Sequence, residues 1–77
     1  MLPKVNQYLF LQVASLDENE DKQEHKARIA DINDETIAIE IPLTVSTGKL
    51  KRLYPGDQLS AYYMTEGGVK NYFNSEV

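Results

Sequence analysis

Residues 23–42 read Gln23-Glu24-His25-Lys26-Ala27-Arg28-Ile29-Ala30-Asp31-Ile32-Asn33-Asp34-Glu35-Thr36-Ile37-Ala38-Ile39-Glu40-Ile41-Pro42. In the second half, Ile37, Ile39 and Ile41 alternate with Thr36, Ala38 and Glu40, the period of two that sets one strand face on a core and the other in solvent. Pro42 has no N–H to give a ladder and ends the run. In the first half, Ala27 and Ile29 lie in one phase while Ala30 and Ile32 lie in the other. A one-residue slip near Ile29-Ala30 reconciles the two, so a β-bulge is predicted there, a device that lets a small sheet coil. Asn33-Asp34-Glu35 supplies the turn between the strands.

Working outward, the same period recurs. Tyr8 to Val13 sets Leu9, Leu11 and Val13 on one face against Tyr8, Phe10 and Gln12 on the other. Gln58 to Met64 and Val69 to Val77 are two further β-rich runs, joined by Thr65-Glu66-Gly67-Gly68, whose glycines tolerate the positive φ of a tight hairpin. Tyr54-Pro55-Gly56-Asp57 carries a type II signature, with Pro55 fixing φ at the second position and Gly56 accepting positive φ at the third. Thr44 to Lys51, with Thr47-Gly48-Lys49, reads as a loop between sheet segments. Ser15-Leu16-Asp17-Glu18 matches a capping box, but a helix over residues 16–26 would have almost no apolar face, and a solvated hairpin loop is the expectation. No linker or repeat divides the chain. The architecture expected is all-β, a small antiparallel split β-barrel or bent sheet of five to six short strands forming one domain over residues 1–77.

The chain has 77 residues, twelve acidic and eight basic, for a formal net charge of −4. Burial of about 60–65% of the extended surface is what such a length allows, so a two-lobed enzyme is excluded. The absence of cysteine rules out a disulfide framework, a thiol nucleophile and Cys-ligated zinc, and suits a reducing cytoplasm. No run reaches the roughly 20 apolar residues of a membrane helix. Residues 17–24 hold five acids and one lysine, so one loop carries the whole imbalance and the rest is neutral. An acidic total argues against duplex nucleic acid, which is bound by cations that neutralise phosphates.

Constellations that carry chemistry are sparse. His25 is the one histidine, at the polar start of a strand, and is expected to be an exposed surface residue. There is no Gly-x-Ser-x-Gly elbow, and Gly48-Lys49 lacks the rest of a P-loop. The acidic run lacks the ligand order of an EF-hand and reads as a solvated charge run. Lys49, Lys51 and Arg52, followed by Tyr54, form the basic cluster. They either meet a phosphate or an acidic partner surface, with Tyr54 stacking, or make a solvated edge whose lysines discourage aggregation. Tyr62-Tyr63 and Tyr72-Phe73 each place neighbours on opposite faces, so one of each pair is expected in the core.

The order of these segments resembles a known family. Lys26-Ala27-Arg28-Ile29-Ala30-Asp31-Ile32, a short acidic turn, Ile37-Ala38-Ile39-Glu40-Ile41-Pro42, Thr47-Gly48-Lys49, Leu53-Tyr54-Pro55-Gly56-Asp57-Gln58-Leu59 and Phe73-Asn74-Ser75-Glu76-Val77 are similar to the N-terminal domain of flagellar-brake-type PilZ proteins. The likeness spans nearly the whole chain. It implies a bacterial, non-enzymatic regulatory domain in cyclic di-GMP signalling and motility control, packed against a C-terminal PilZ domain that lies beyond this chain. It further implies cyclic di-GMP as the ligand of the full-length protein, and a flagellar motor or other protein as partner. On this view Lys49, Lys51, Arg52 and Tyr54 face the neighbouring domain or a partner.

The departures are specific. The family often has a glycine before the first strand, where this chain has Val5-Asn6-Gln7. Its ligand-binding Arg-x-x-x-Arg and Asp-x-Ser-x-x-Gly motifs are absent, so no ligand-binding residue carries over, and neither metal nor cofactor is expected in this segment. The alternative from another class is a small OB- or SH3-like barrel binding single-stranded nucleic acid through Tyr54, Tyr62 or Tyr72 with the basic cluster.

Overall fold

In the computed structural model, which describes residues 3–17 and 22–77, the alternating segments form six antiparallel strands. These are β1 (Tyr8–Val13), β2 (His25–Ile32), β3 (Ile37–Ile39), β4 (Leu43–Thr44), β5 (Gln58–Thr65) and β6 (Val69–Glu76). They build one bent sheet in the order β3-β2-β1-β5-β6, with β4 pairing the start of β2. The sheet does not close, since β3 and β6 stand at its two ends, and the split-barrel expectation holds in this open form. Residues 18–21 of the acidic loop over residues 17–24 fall outside the described residues, and the described part of residues 16–26 carries no helix, in line with the loop expectation.

The bulge sits where the phase change requires it. Ile29 pairs Ile39 and Asp31 pairs Ala38, so Ala30 has no opposite number and is turned to solvent. This returns Ile32 to the core side. A second irregularity lies on the facing strand. Between Ile39 and Leu43 the chain advances four residues while its partner retreats three, from Ile29 to Lys26. The surplus falls at Ile41-Pro42, where proline offers no N–H. Ile41 is consequently 65% exposed, against the alternation that grouped it with Ile37 and Ile39.

Leu9, Leu11, Ile29, Ala61 and Tyr63 form the core, with Ile32, Ile37, Ile39, Leu53 and Phe73 packed on it. Tyr63 and Phe73 are thus the inward members of their pairs. The turns follow their residues. Thr65 pairs Val69 across Glu66–Gly68, with φ of 79° at Gly67. In the turn over residues 54–57, the Asp57 N–H reaches the Tyr54 carbonyl at 3.1 Å, with φ of 93° at Gly56.

His25 is not the surface residue its position suggested. It is 1% exposed, because its strand partners are Leu11 on one side and Thr44 on the other. Its Nδ1 shares a hydrogen bond of 2.9 Å with Thr44 Oγ1. Among the described residues no buried side-chain polar atom lacks a partner.

Candidate functional site

The basic cluster is positioned by two short turns. Thr44 to Lys49 folds back as a small hairpin, with Thr44 N–H to Lys49 O at 2.8 Å, Gly48 N–H to Thr44 O at 2.7 Å, and a bridge between Leu43 and Leu50. Lys49 stands exposed in that hairpin. The chain then runs past Pro42, whose carbonyl accepts the Lys51 N–H at 2.7 Å. The following turn is held by Asp57, whose Oδ2 accepts the Tyr54 N–H at 2.9 Å.

Lys51, Arg52 and Tyr54 share a groove with Val13, Ala14, Ser15 and Asp57, of about 170 Å³. Pockets for drug-sized ligands run to about 300–1,000 Å³, so this groove suits a carboxylate or a single side chain. Asp57 sets one acid among the cations and lowers the attraction for a polyanion. Lys51 and Arg52 also border an apolar recess with Ile39, Ile41, Leu50 and Leu53, which explains why Lys51 is half-buried. Charge beside exposed aliphatic surface is the make-up of an interface rim.

The aromatics named beside this cluster lie elsewhere. Tyr62 and Tyr72 stand on the outer face of β5 and β6, with Tyr62 paired between Phe10 and Tyr72, and the cation over Tyr62 is Lys70, with Nζ 4.9 Å from the ring centre. A stacking surface drawing on Tyr54, Tyr62 and residues 49–52 together is therefore split between two grooves. Tyr62 donates its phenol O–H to Glu24 Oε1 at 2.6 Å. That bond, with burial and the Glu24 charge, pushes its pKa up to about 12.

Neither arginine is placed to join the other. Arg28 lies on β2 and donates Nε and Nη2 to Glu40 Oε2 at 2.9 and 2.6 Å, a pairing that raises its pKa. Arg52 lines the groove by the second turn. Among the described residues no group of three or more His, Asp or Glu could hold a metal ion, and no helix is long and apolar enough to cross a membrane. Between β3 and β6 the open side of the sheet leaves a cavity of about 510 Å³, lined by Ile37, Ile39, Leu53, Phe73 and Val77 with Glu35 and Glu76 at hand.

Fold and surface together define a small, open antiparallel β-domain whose prominent features are surface grooves. A family model described as PilZNR, flagellar protein YcgR, matches residues 4–77. The chain belongs to this family, the N-terminal domain of YcgR-type flagellar proteins, which is a regulatory family and not a known family of enzymes. No curated protein and no solved structure matches it.

Proposed function

We propose that this chain is the non-catalytic coupling domain of a cytoplasmic cyclic di-GMP receptor that brakes flagellar motility. It packs against a PilZ domain and changes its orientation when that neighbour takes up the dinucleotide. The observation that carries the reading is the family match over residues 4–77, taken with the separation of the arginines. A dianionic dinucleotide calls for converging guanidinium forks, and here Arg28 is engaged by Glu40 while Arg52 belongs to another surface. Ligand chemistry would then reside in the neighbouring domain, and this domain would read it out through contacts that differ between the two states. Lys51, Arg52 and Tyr54, with Lys49 nearby, supply the surface for that contact or for a protein partner such as a motor component.

Two measurements test the reading. Calorimetry of the 77-residue chain with cyclic di-GMP should give no binding heat; saturable binding by this chain alone would overturn it. In a full-length receptor, reversing Lys49, Lys51 and Arg52 to glutamate should reduce the ligand-dependent change in X-ray scattering while leaving dinucleotide affinity intact. An unaltered scattering response would remove the surface from the mechanism.

A further inference from the structure

The sheet face opposite the core is not an ordinary solvated face. Strand pairing sets Lys26, Phe10, Tyr62 and Tyr72 side by side in one row across β2, β1, β5 and β6. Leu9, Leu11, Ala61, Tyr63 and Phe73 occupy the alternate positions and fill the core, so this row points outward. The Phe10 and Tyr62 rings stack with centres 5.0 Å apart and planes 16° apart. Tyr72 follows at 5.3 Å from Tyr62 and is 71% exposed. In the next outward row Tyr8 is paired with Arg28 and Met64 with Lys70, and Tyr8 and Met64 are both exposed.

The charges on this face are distinctive. Lys26 holds its Nζ 4.8 Å from the Tyr8 ring centre and Lys70 its Nζ 4.9 Å from that of Tyr62. The described ion pair, Arg28 with Glu40, engages neither lysine, and Glu24 accepts the Tyr62 phenol. Two ammonium groups therefore lie over aromatic rings without a described ion-pair partner. Aromatic residues and methionine are what the centre of a protein interface selects, with charges at its rim.

We propose that this outer face docks an acidic, partly apolar segment of another protein. An aromatic or aliphatic side chain of that segment rests on the Tyr62 and Tyr72 rings, and its flanking carboxylates meet Lys26 and Lys70. Charge decides among occupants. Two lysines beside Glu24 offer few phosphate contacts to a nucleic-acid strand, and two cations without a described ion-pair partner favour a segment that brings carboxylates. The inference is independent of residues 49–54 and stands whether or not the receptor reading holds.

The test is selection of an unbiased displayed-peptide library on the immobilised 77-residue chain, followed by affinity measurement with the enriched peptides. Enrichment of Asp and Glu around Phe, Trp or Leu is expected. Tyr72→Ala, and separately Lys26→Glu with Lys70→Glu, should weaken binding by about tenfold or more, while Lys49→Glu with Lys51→Glu leaves it unchanged. Three results would overturn the proposal: enriched peptides without acidic character or no enrichment at all, binding indifferent to the Tyr72 and lysine variants, or a Tyr72-dependent dimer in sedimentation. Salt-sensitive, Tyr72-dependent binding of a single-stranded oligonucleotide in place of acidic peptides would likewise replace it with a nucleic-acid face.

Discussion

Asn6 holds φ at 73°, inside the left-handed region, just before β1. Its turn is closed by Gln7 N–H to Lys4 O at 3.1 Å and tied to β2 by Asn6 N–H to Ile29 O at 2.8 Å. Asparagine is among the few side chains that visit this region readily, and for most others it costs roughly 1–2 kcal/mol. Asn6→Gly should therefore leave the urea midpoint nearly unchanged, while Asn6→Val lowers stability by about 1–2 kcal/mol. Equal effects from both would show that the turn does not depend on φ. Tyr62 makes a second prediction at this scale. Its phenol is held neutral to about pH 12, first by the hydrogen bond to Glu24 and then by burial, whereas an unfolded tyrosine ionises near about 10. A folded pKa above the unfolded one stabilises the protonated form, so this contribution is fully present below pH ~10 and is lost as pH rises through about 12. Glu24→Gln should bring the last step of the tyrosinate absorbance titration to lower pH; an unchanged titration would place the shift elsewhere. The tyrosine pairs were legible because adjacent strand residues must face opposite ways. The Glu24 contact was not, since it joins residues 38 apart in sequence.

Among the elements, β2 shows why one alanine can be surplus. Ala30 stands between two ladder pairs without a partner, so removing it leaves Ile29 and Ile32 on the core side with the ladder in register. Ser60 is just as exposed, but it sits in an unbroken ladder between Gln12 and Asn74. Deleting it would turn one half of β5 over relative to the other, because a one-residue slip reverses every side chain beyond it. The Ala30 deletion should retain a cooperative thermal transition and a strand-type circular dichroism spectrum, and the Ser60 deletion should lose both. The reverse outcome would mean that the bulge holds the sheet together. The bulge was readable from the conflicting phases of Ala27-Ile29 and Ala30-Ile32. The irregularity at Ile41-Pro42 was not, because the apolar alternation there runs without a break. Only the strand opposite reveals that it has one residue too many.

For the molecule as a whole, stability rests on a small core. Leu11 and Ile29 are essentially sealed, and a chain of this length has about 4–12 kcal/mol of net stability. Leu11→Ala should remove about 2–5 kcal/mol, enough to lower the melting temperature by more than about 10 °C. A fall of only a degree or two would mean that the sheet relaxes around the gap. The basic surface was legible in composition, as Lys49, Lys51, Arg52 and Tyr54 lie close in sequence, and the turn over residues 54–57 brings three of them to one groove. The aromatic row with Lys26 and Lys70 was not, for its members come from four strands.

What the sequence determined by itself is everything that depends on the period of the backbone and the permitted φ of single residues: strands, turns, the bulge at Ala30, and that two adjacent aromatics face opposite ways. Those preferences act over a few bonds and are written in consecutive residues. Tertiary structure alone decided the strand order, the burial of His25 against Thr44, the exposure of Ile41 and the meeting of Lys70 with Tyr62. Each of these follows from which strand lies beside which. Side-chain neighbours across a sheet are set by long-range pairing and register, and the alternation within one strand is the same whichever partner it takes.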